Sequence, residues 1–152
     1  MNLDFKEILN LFNEEKVEYL IVGGYAVIEY TEPRYTKDLD IWINAESENA
    51  RRVFSALQRF GAPLSTVTVE DFTNPGLVYQ MGRPPARIDI IMRAKGLEFN
   101  DCWLNRVESN YDEVQVNFIS LRDLIDNKLA VGRPQDLIDA ENLLLSAKQK
   151  GE

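Results

Sequence analysis

Residues 17–43 read VEYLIVGGYAVIEYTEPRYTKDLDIWI, and the order of patterns within them decides the fold. Val17–Val22 is a short apolar run rich in β-branched residues, which predicts a strand that stops at Gly23-Gly24. Residues 24–31 resume as a helix starting on those glycines. Proline disfavours a helical residue before it, so Glu32-Pro33-Arg34 breaks that helix. Asp38–Ile43 alternates acidic and apolar side chains. That is a strand, with Asp38 and Asp40 on one face and Leu39, Ile41 and Ile43 turned to the core.

Outward from this stretch the patterns continue. Phe5, Ile8, Leu9 and Phe12 recur at helical spacing within residues 4–16. Glu48–Phe60 predicts a helix closed by Gly61. Three strand-like pieces follow, Thr66–Val69, Leu77–Met81 and Arg87–Met92, separated by turn signals at Asn74-Pro75-Gly76 and Gly82-Arg83-Pro84-Pro85. Glu98–Val107 reads as a helix and Val114–Ile119 as a strand. Ser120 with Asp123 starts a helix at 121–131, and Gly132-Arg133-Pro134 joins it to a last helix running to about residue 147. The expected fold is α/β (α+β), a mixed sheet flanked by helices with further helices at the C-terminus, in a single domain over 1–152.

Composition narrows the chemistry. The chain of 152 residues is 45% hydrophobic and 28% charged, an ordinary globular balance. No apolar run approaches the ~20 residues that span a bilayer, and the acidic, amphipathic start lacks the pattern of a signal peptide. With the single cysteine Cys102, this points to a cytoplasmic setting with no membrane partner. The formal net charge of −8 disfavours non-specific nucleic-acid binding, which draws on Lys and Arg. There is no histidine. Ser-His-Asp triads and histidine-ligated zinc are excluded, so catalysis must run on carboxylates, lysine, tyrosine or a hard cation.

Asp38 and Asp40, at i and i+2 on a strand, stand ~7 Å apart on one face. Two carboxylates so placed repel in a partly buried setting, and a divalent cation between them relieves this. Oxygen ligands without histidine or a cysteine cluster favour Mg²⁺ or Mn²⁺. A solvated edge strand would carry the same pattern, and Asp89 shifts the balance. It interrupts the apolar run Arg87-Ile88-Asp89-Ile90-Ile91-Met92, where an unpaired buried carboxylate is costly. A cation shared with Asp38 and Asp40 resolves that cost; pairing with Arg87 or Arg93 is the alternative.

Gly23-Gly24 lets backbone approach a ligand closely, and a helix N-terminus offers free N–H groups to phosphate. The stretch fits neither G-x-G-x-x-G nor G-x-x-x-x-G-K-[ST]. Gly23-Gly24-Tyr25-Ala26-Val27 followed by Pro33-Arg34-Tyr35-Thr36-Lys37-Asp38-Leu39-Asp40 resembles the signature of the nucleotidyltransferase superfamily, with its polymerase-β-like fold. That superfamily includes antibiotic nucleotidyltransferases and the nucleotidyltransferase toxins of bacterial toxin–antitoxin pairs. Asp89 matches its third acid. Asp123–Lys128 and Gly132–Leu137 are similar to the family's tail, with Gln135 where lysine is usual and Tyr30-Thr31 in place of a frequent His-Gly.

The resemblance implies in-line attack by an acceptor hydroxyl on the α-phosphate of a nucleoside triphosphate, releasing pyrophosphate. Asp38, Asp40 and Asp89 would hold two Mg²⁺ (or Mn²⁺), with Asp89 also the general base. Gly23, Gly24, Arg34, Thr36, Lys37 and Lys128 would contact the nucleotide. Lys128 shares the apolar face of its helix, so it either snorkels outward or reaches a phosphate or carboxylate. Arg83, Arg87, Arg93 and Lys95 are a basic rim or phosphate contacts, Arg133 and Asp136 a structural pair, and Trp42 and Trp103 core or interface residues. The acceptor is a small molecule, RNA or protein, and a homodimer or an antitoxin partner would supply its recognition. Two rivals follow: a catalytically silent nucleotide- or metal-binding module, and a toxin–antitoxin component modifying tRNA or protein.

Overall fold

The computed structural model describes residues 2–34, 36, 38–83 and 85–151. Lys37 lies outside the described residues. Helix α1 (Leu3–Glu14) is capped by Asn2, whose Oδ1 accepts from the Asp4 amide at 2.7 Å, and buries Phe5, Ile8, Leu9 and Phe12. The apolar run becomes strand β1 (Tyr19–Val22), buried throughout, and runs straight into helix α2 (Gly23–Tyr30). Strand β2 (Asp38–Ile43) follows as the alternation predicts, and helix α3 (Ser47–Phe60) ends on Gly61 in the left-handed region. The buried Asn49 ties α3 to the strands. Its Oδ1 accepts from the Glu18 amide at 2.7 Å, and its Nδ2 donates to the Asn44 carbonyl at 2.8 Å.

The remaining elements are strands β3 (Val78–Met81) and β4 (Arg87–Ile91), helix α4 (Phe99–Leu104), strands β5 (Val107–Tyr111) and β6 (Val114–Phe118), and helices α5 (Leu121–Val131) and α6 (Pro134–Gln149). The six strands form one mixed sheet in the order β3-β4-β2-β1-β6-β5. β2 runs parallel to β4 and β1 to β6, while β1–β2, β3–β4 and β5–β6 are antiparallel. This is the expected α/β mixed sheet with helices at the C-terminal end. No helix among the described residues is long and apolar enough to cross a membrane.

Two elements depart from expectation. Thr66–Val69 is not a strand: Val69–Thr73 forms a 3₁₀ helix. The Thr68 amide donates to Asp71 Oδ2 at 2.9 Å, and Phe72 is buried, so a local cap overrides the alternation of Thr and Val. The helix expected over Glu98–Val107 stops at Leu104, and Val107–Tyr111 pairs with β6 as the edge strand β5. Its sequence, VESNY, is largely exposed and shows no apolar alternation, so the pairing comes from the partner strand.

Candidate active site

Parallel pairing of β2 with β4 places Asp38 beside Arg87 and Asp40 beside Asp89. Residues two apart on a strand share a face, so four charged side chains form a square on one face of the sheet. The opposite face carries Leu39, Ile41, Ile88 and Ile90, all buried. Beyond Asp40 the charged face is closed by Trp42, which is buried against Phe99 at a ring separation of 5.1 Å. Trp42 is therefore core. Trp103 stacks on Phe99 and carries the Arg106 guanidinium 3.9 Å above its ring.

Arg87 bridges the square. Its Nη2 donates to Asp38 Oδ2 at 2.7 Å and to Asp89 Oδ2 at 3.1 Å. The pairing of Asp89 with Arg87 is thus real, yet one guanidinium faces three carboxylates. Asp38 Oδ1 and Asp89 Oδ1 are buried without any hydrogen-bond partner. Burial, then the charges of Asp89 and Asp38, push the Asp40 carboxyl up to about 7 despite Arg87 nearby. Unpaired buried oxygens and a carboxyl driven toward its neutral form are the marks of a site short of positive charge. In the present rotamers no group of three or more acidic, histidine or cysteine side chains among the described residues closes around one point. Arg87 lies among these oxygens, and the all-oxygen donor set suits a hard divalent cation.

The glycine pair sits against this square. Gly23 has φ +68°, and a Cβ there would fall on Asp40 Oδ2. A Cβ on Gly24 would lie 2.5 Å from Thr36 Oγ1 and 3.7 Å from Arg34 Nη2. Helix α2 begins here with no side-chain cap and no acid in its first turn. Its first amides therefore have no side chain competing for them beside the carboxylates. The structure thus brings together Asp38, Asp40, Asp89, Gly23, Gly24, Thr36 and Arg34.

Lys128 is buried on α5 and faces carboxylates. Its Nζ lies 3.1 Å from Asp139 and 3.4 Å from Asp136. Arg133 donates from its backbone and Nε to Asp136 Oδ2, closing the N-terminus of α6 as a structural pair. Burial raises the pKa of Asp136, but Arg133 and Lys128 together hold it below the usual range. Asp139, which sequence reasoning missed, is 1% exposed. Its Oδ1 accepts from Arg34 Nη1 at 2.6 Å and from Gln135 at 2.9 Å, and its Oδ2 from Arg34 Nη2 at 3.4 Å. Burial again raises the pKa, and Arg34, Gln135 and Lys128 outweigh it. The one available signal was an acid beside Ala140 and Leu143 on the buried face of α6. Arg83, Arg93 and Lys95 are exposed.

The mixed sheet and its glycine-started helix agree with the nucleotidyltransferase fold that the resemblance implies. The chain belongs to the family described as "Nucleotidyltransferase of unknown function (DUF6036)", whose model matches residues 3–149. No curated protein matches the sequence significantly. Two solved structures share the fold. The lincomycin-bound lincosamide antibiotic adenylyltransferase LnuA is 18% identical with a TM-score of 0.54, over 95% of this chain and 96% of that one. The antibiotic-resistance factor ANT(2'')-Ia is 15% identical with a TM-score of 0.60, over 96% of this chain and 82% of that one. The protein is a nucleotidyltransferase, an enzyme that transfers a nucleoside monophosphate group.

Proposed function

We propose that the enzyme uses a divalent cation, Mg²⁺ or Mn²⁺, to transfer a nucleoside monophosphate group to a hydroxyl of a small-molecule acceptor. The observation that carries this is the charge deficit on the sheet: buried, unpartnered Asp38 Oδ1 and Asp89 Oδ1 beside an Asp40 carboxyl raised to about 7. Asp38, Asp40 and Asp89 would hold the cation. When bound, it supplies Lewis-acid stabilisation of the triphosphate and makes an attacking hydroxyl more acidic. Gly23 and Gly24 admit the phosphates to the first amides of α2, and Thr36 and Arg34 border the same opening. The acceptor oxygen attacks the α-phosphorus, the bond to the bridging oxygen breaks, and pyrophosphate leaves. Asp89, the third acid of the superfamily pattern, would take the acceptor's proton.

A small acceptor is favoured over RNA by the net charge of −8, which repels a polyanion. LnuA, similar in fold and almost fully covered by this chain, is named as a lincosamide antibiotic adenylyltransferase. The test is incubation with each radiolabelled nucleoside triphosphate, Mn²⁺ or Mg²⁺, and fractionated extract or hydroxyl-bearing antibiotics. Labelled small molecules with release of pyrophosphate are expected. Asp40→Ala is expected to abolish transfer, and a fully active variant refutes the assignment.

A further inference from the structure

The buried ionic cluster that joins α5 and α6 to the segment between α2 and β2 is larger than a helix joint needs. Arg133 alone closes the first turn of α6 on Asp136. Asp139 contributes nothing to that cap. It lies one turn further along, 1% exposed, and its carboxylate receives both terminal nitrogens of Arg34 across 105 residues of sequence, together with Lys128 and Gln135. Arg34 itself is only partly covered, with a third of its side chain open. Its Nη2 lies 3.7 Å from where a Cβ on Gly24 would stand, at the first turn of α2 beside Thr36.

We propose that Asp139 is a positioning residue: it fixes the Arg34 guanidinium at the glycine-started end of α2, so that the polyphosphate of the nucleotide meets a pre-aimed cation. This rests on the reading of that opening as the triphosphate site. A guanidinium gripped on one edge by a carboxylate keeps its plane and its remaining N–H groups in a fixed direction. A flexible arginine on an exposed segment would lose side-chain freedom at the moment of binding; one already fixed does not. The cluster stays cationic, with Arg34, Lys128 and Arg133 against Asp136 and Asp139, so holding Arg34 does not cancel its attraction for phosphate.

This arrangement separates orientation from charge. Removing the Asp139 carboxylate makes the cluster more positive, so a role through charge alone predicts tighter binding of a polyphosphate. A role through orientation predicts weaker binding. The experiment measures the dissociation constant of Mn²⁺–ATP by titration calorimetry for the intact protein, Asp139→Asn, Asp139→Glu, Arg34→Ala, Arg34→Lys and Arg34→Ala/Asp139→Asn, each checked for folding by its melting curve. Asp139→Asn and Arg34→Ala are each expected to weaken binding about tenfold to a hundredfold, as loss of groups that orient a ligand does. The double variant should be no weaker than Arg34→Ala, and Asp139→Glu should recover part of the loss. Arg34→Lys keeps the charge but cannot take the two-pronged grip, so it should resemble Arg34→Ala. This variant tests the idea even where Asp139→Asn does not fold. Unchanged or tighter binding in Asp139→Asn, additive losses in the double variant, or Arg34→Lys equal to the intact protein overturns it. No binding of any of the four nucleoside triphosphates with Mn²⁺ by the intact protein overturns the triphosphate site as well.

Discussion

Gly23→Ala tests the packing of backbone against carboxylate on which the site depends. Gly23 stands at φ +68°, where an L side chain costs ~1–2 kcal/mol. The added methyl would also fall on Asp40 Oδ2, so the carboxyl must leave its rotamer, at ~0.5–1.5 kcal/mol. The sum is about 1.5–3.5 kcal/mol, and for a chain of this size each kcal/mol lowers the melting temperature by ~2–4 °C. A fall of about 3–14 °C is expected. Gly61→Ala is the control, because Gly61 has φ +86° but open space around its Cβ position, so it carries the strain without the collision. Thermal melts by circular dichroism in EDTA measure both. Mn²⁺ titrations by electron paramagnetic resonance then ask whether the displaced Asp40 still binds: Gly23→Ala should lose affinity and Gly61→Ala should not. If the two variants melt alike and bind Mn²⁺ alike, Asp40 does not depend on the glycine and the reasoning fails.

Three further outcomes are expected. Without metal, folded Asp40 keeps its proton to about pH 7, whereas the unfolded chain releases it near its ordinary value, so the folded state binds the extra proton in between. Stability should therefore fall as pH rises from ~4 to ~7, by at most ~4 kcal/mol, while Asp136 and Asp139, held low, lose their contribution only below ~4. Urea melts across this range in EDTA should show the slope, and Asp40→Asn should flatten it; an unchanged slope counts against the assignment. Arg87→Gln removes the cation that bridges Asp38 and Asp89 and should cost ~1–3 kcal/mol without metal, with Mn²⁺ restoring more stability than it adds to the intact protein. An equal gain from Mn²⁺ in both proteins would show that Arg87 and the metal do not compete for the same oxygens. Lys128→Met leaves Asp136 and Asp139 short of a buried partner and should destabilise by ~3 kcal/mol in urea melts; a loss below ~1 kcal/mol would mean that Arg34 and Arg133 suffice.

Residues 17–43 alone determined the strand–helix–strand unit, because alternation, a glycine pair and a proline are local signals that the chain obeys without outside help. They also put Asp38 and Asp40 on one face. Asp89 was legible for a different reason: an acid inside an apolar strand has few ways to be satisfied. Edge strand β5 and the 3₁₀ helix at Val69–Thr73 were not legible, since one takes its conformation from β6 and the other from a cap between Thr68 and Asp71. Only the tertiary structure decided the rest. The parallel register of β2 on β4 sets Asp40 against Asp89 and lays Arg87 between the acids. The packing of α6 carries Asp139 to Arg34, a pairing 105 residues apart that no local pattern encodes, because electrostatic partners are chosen by distance in space rather than along the chain.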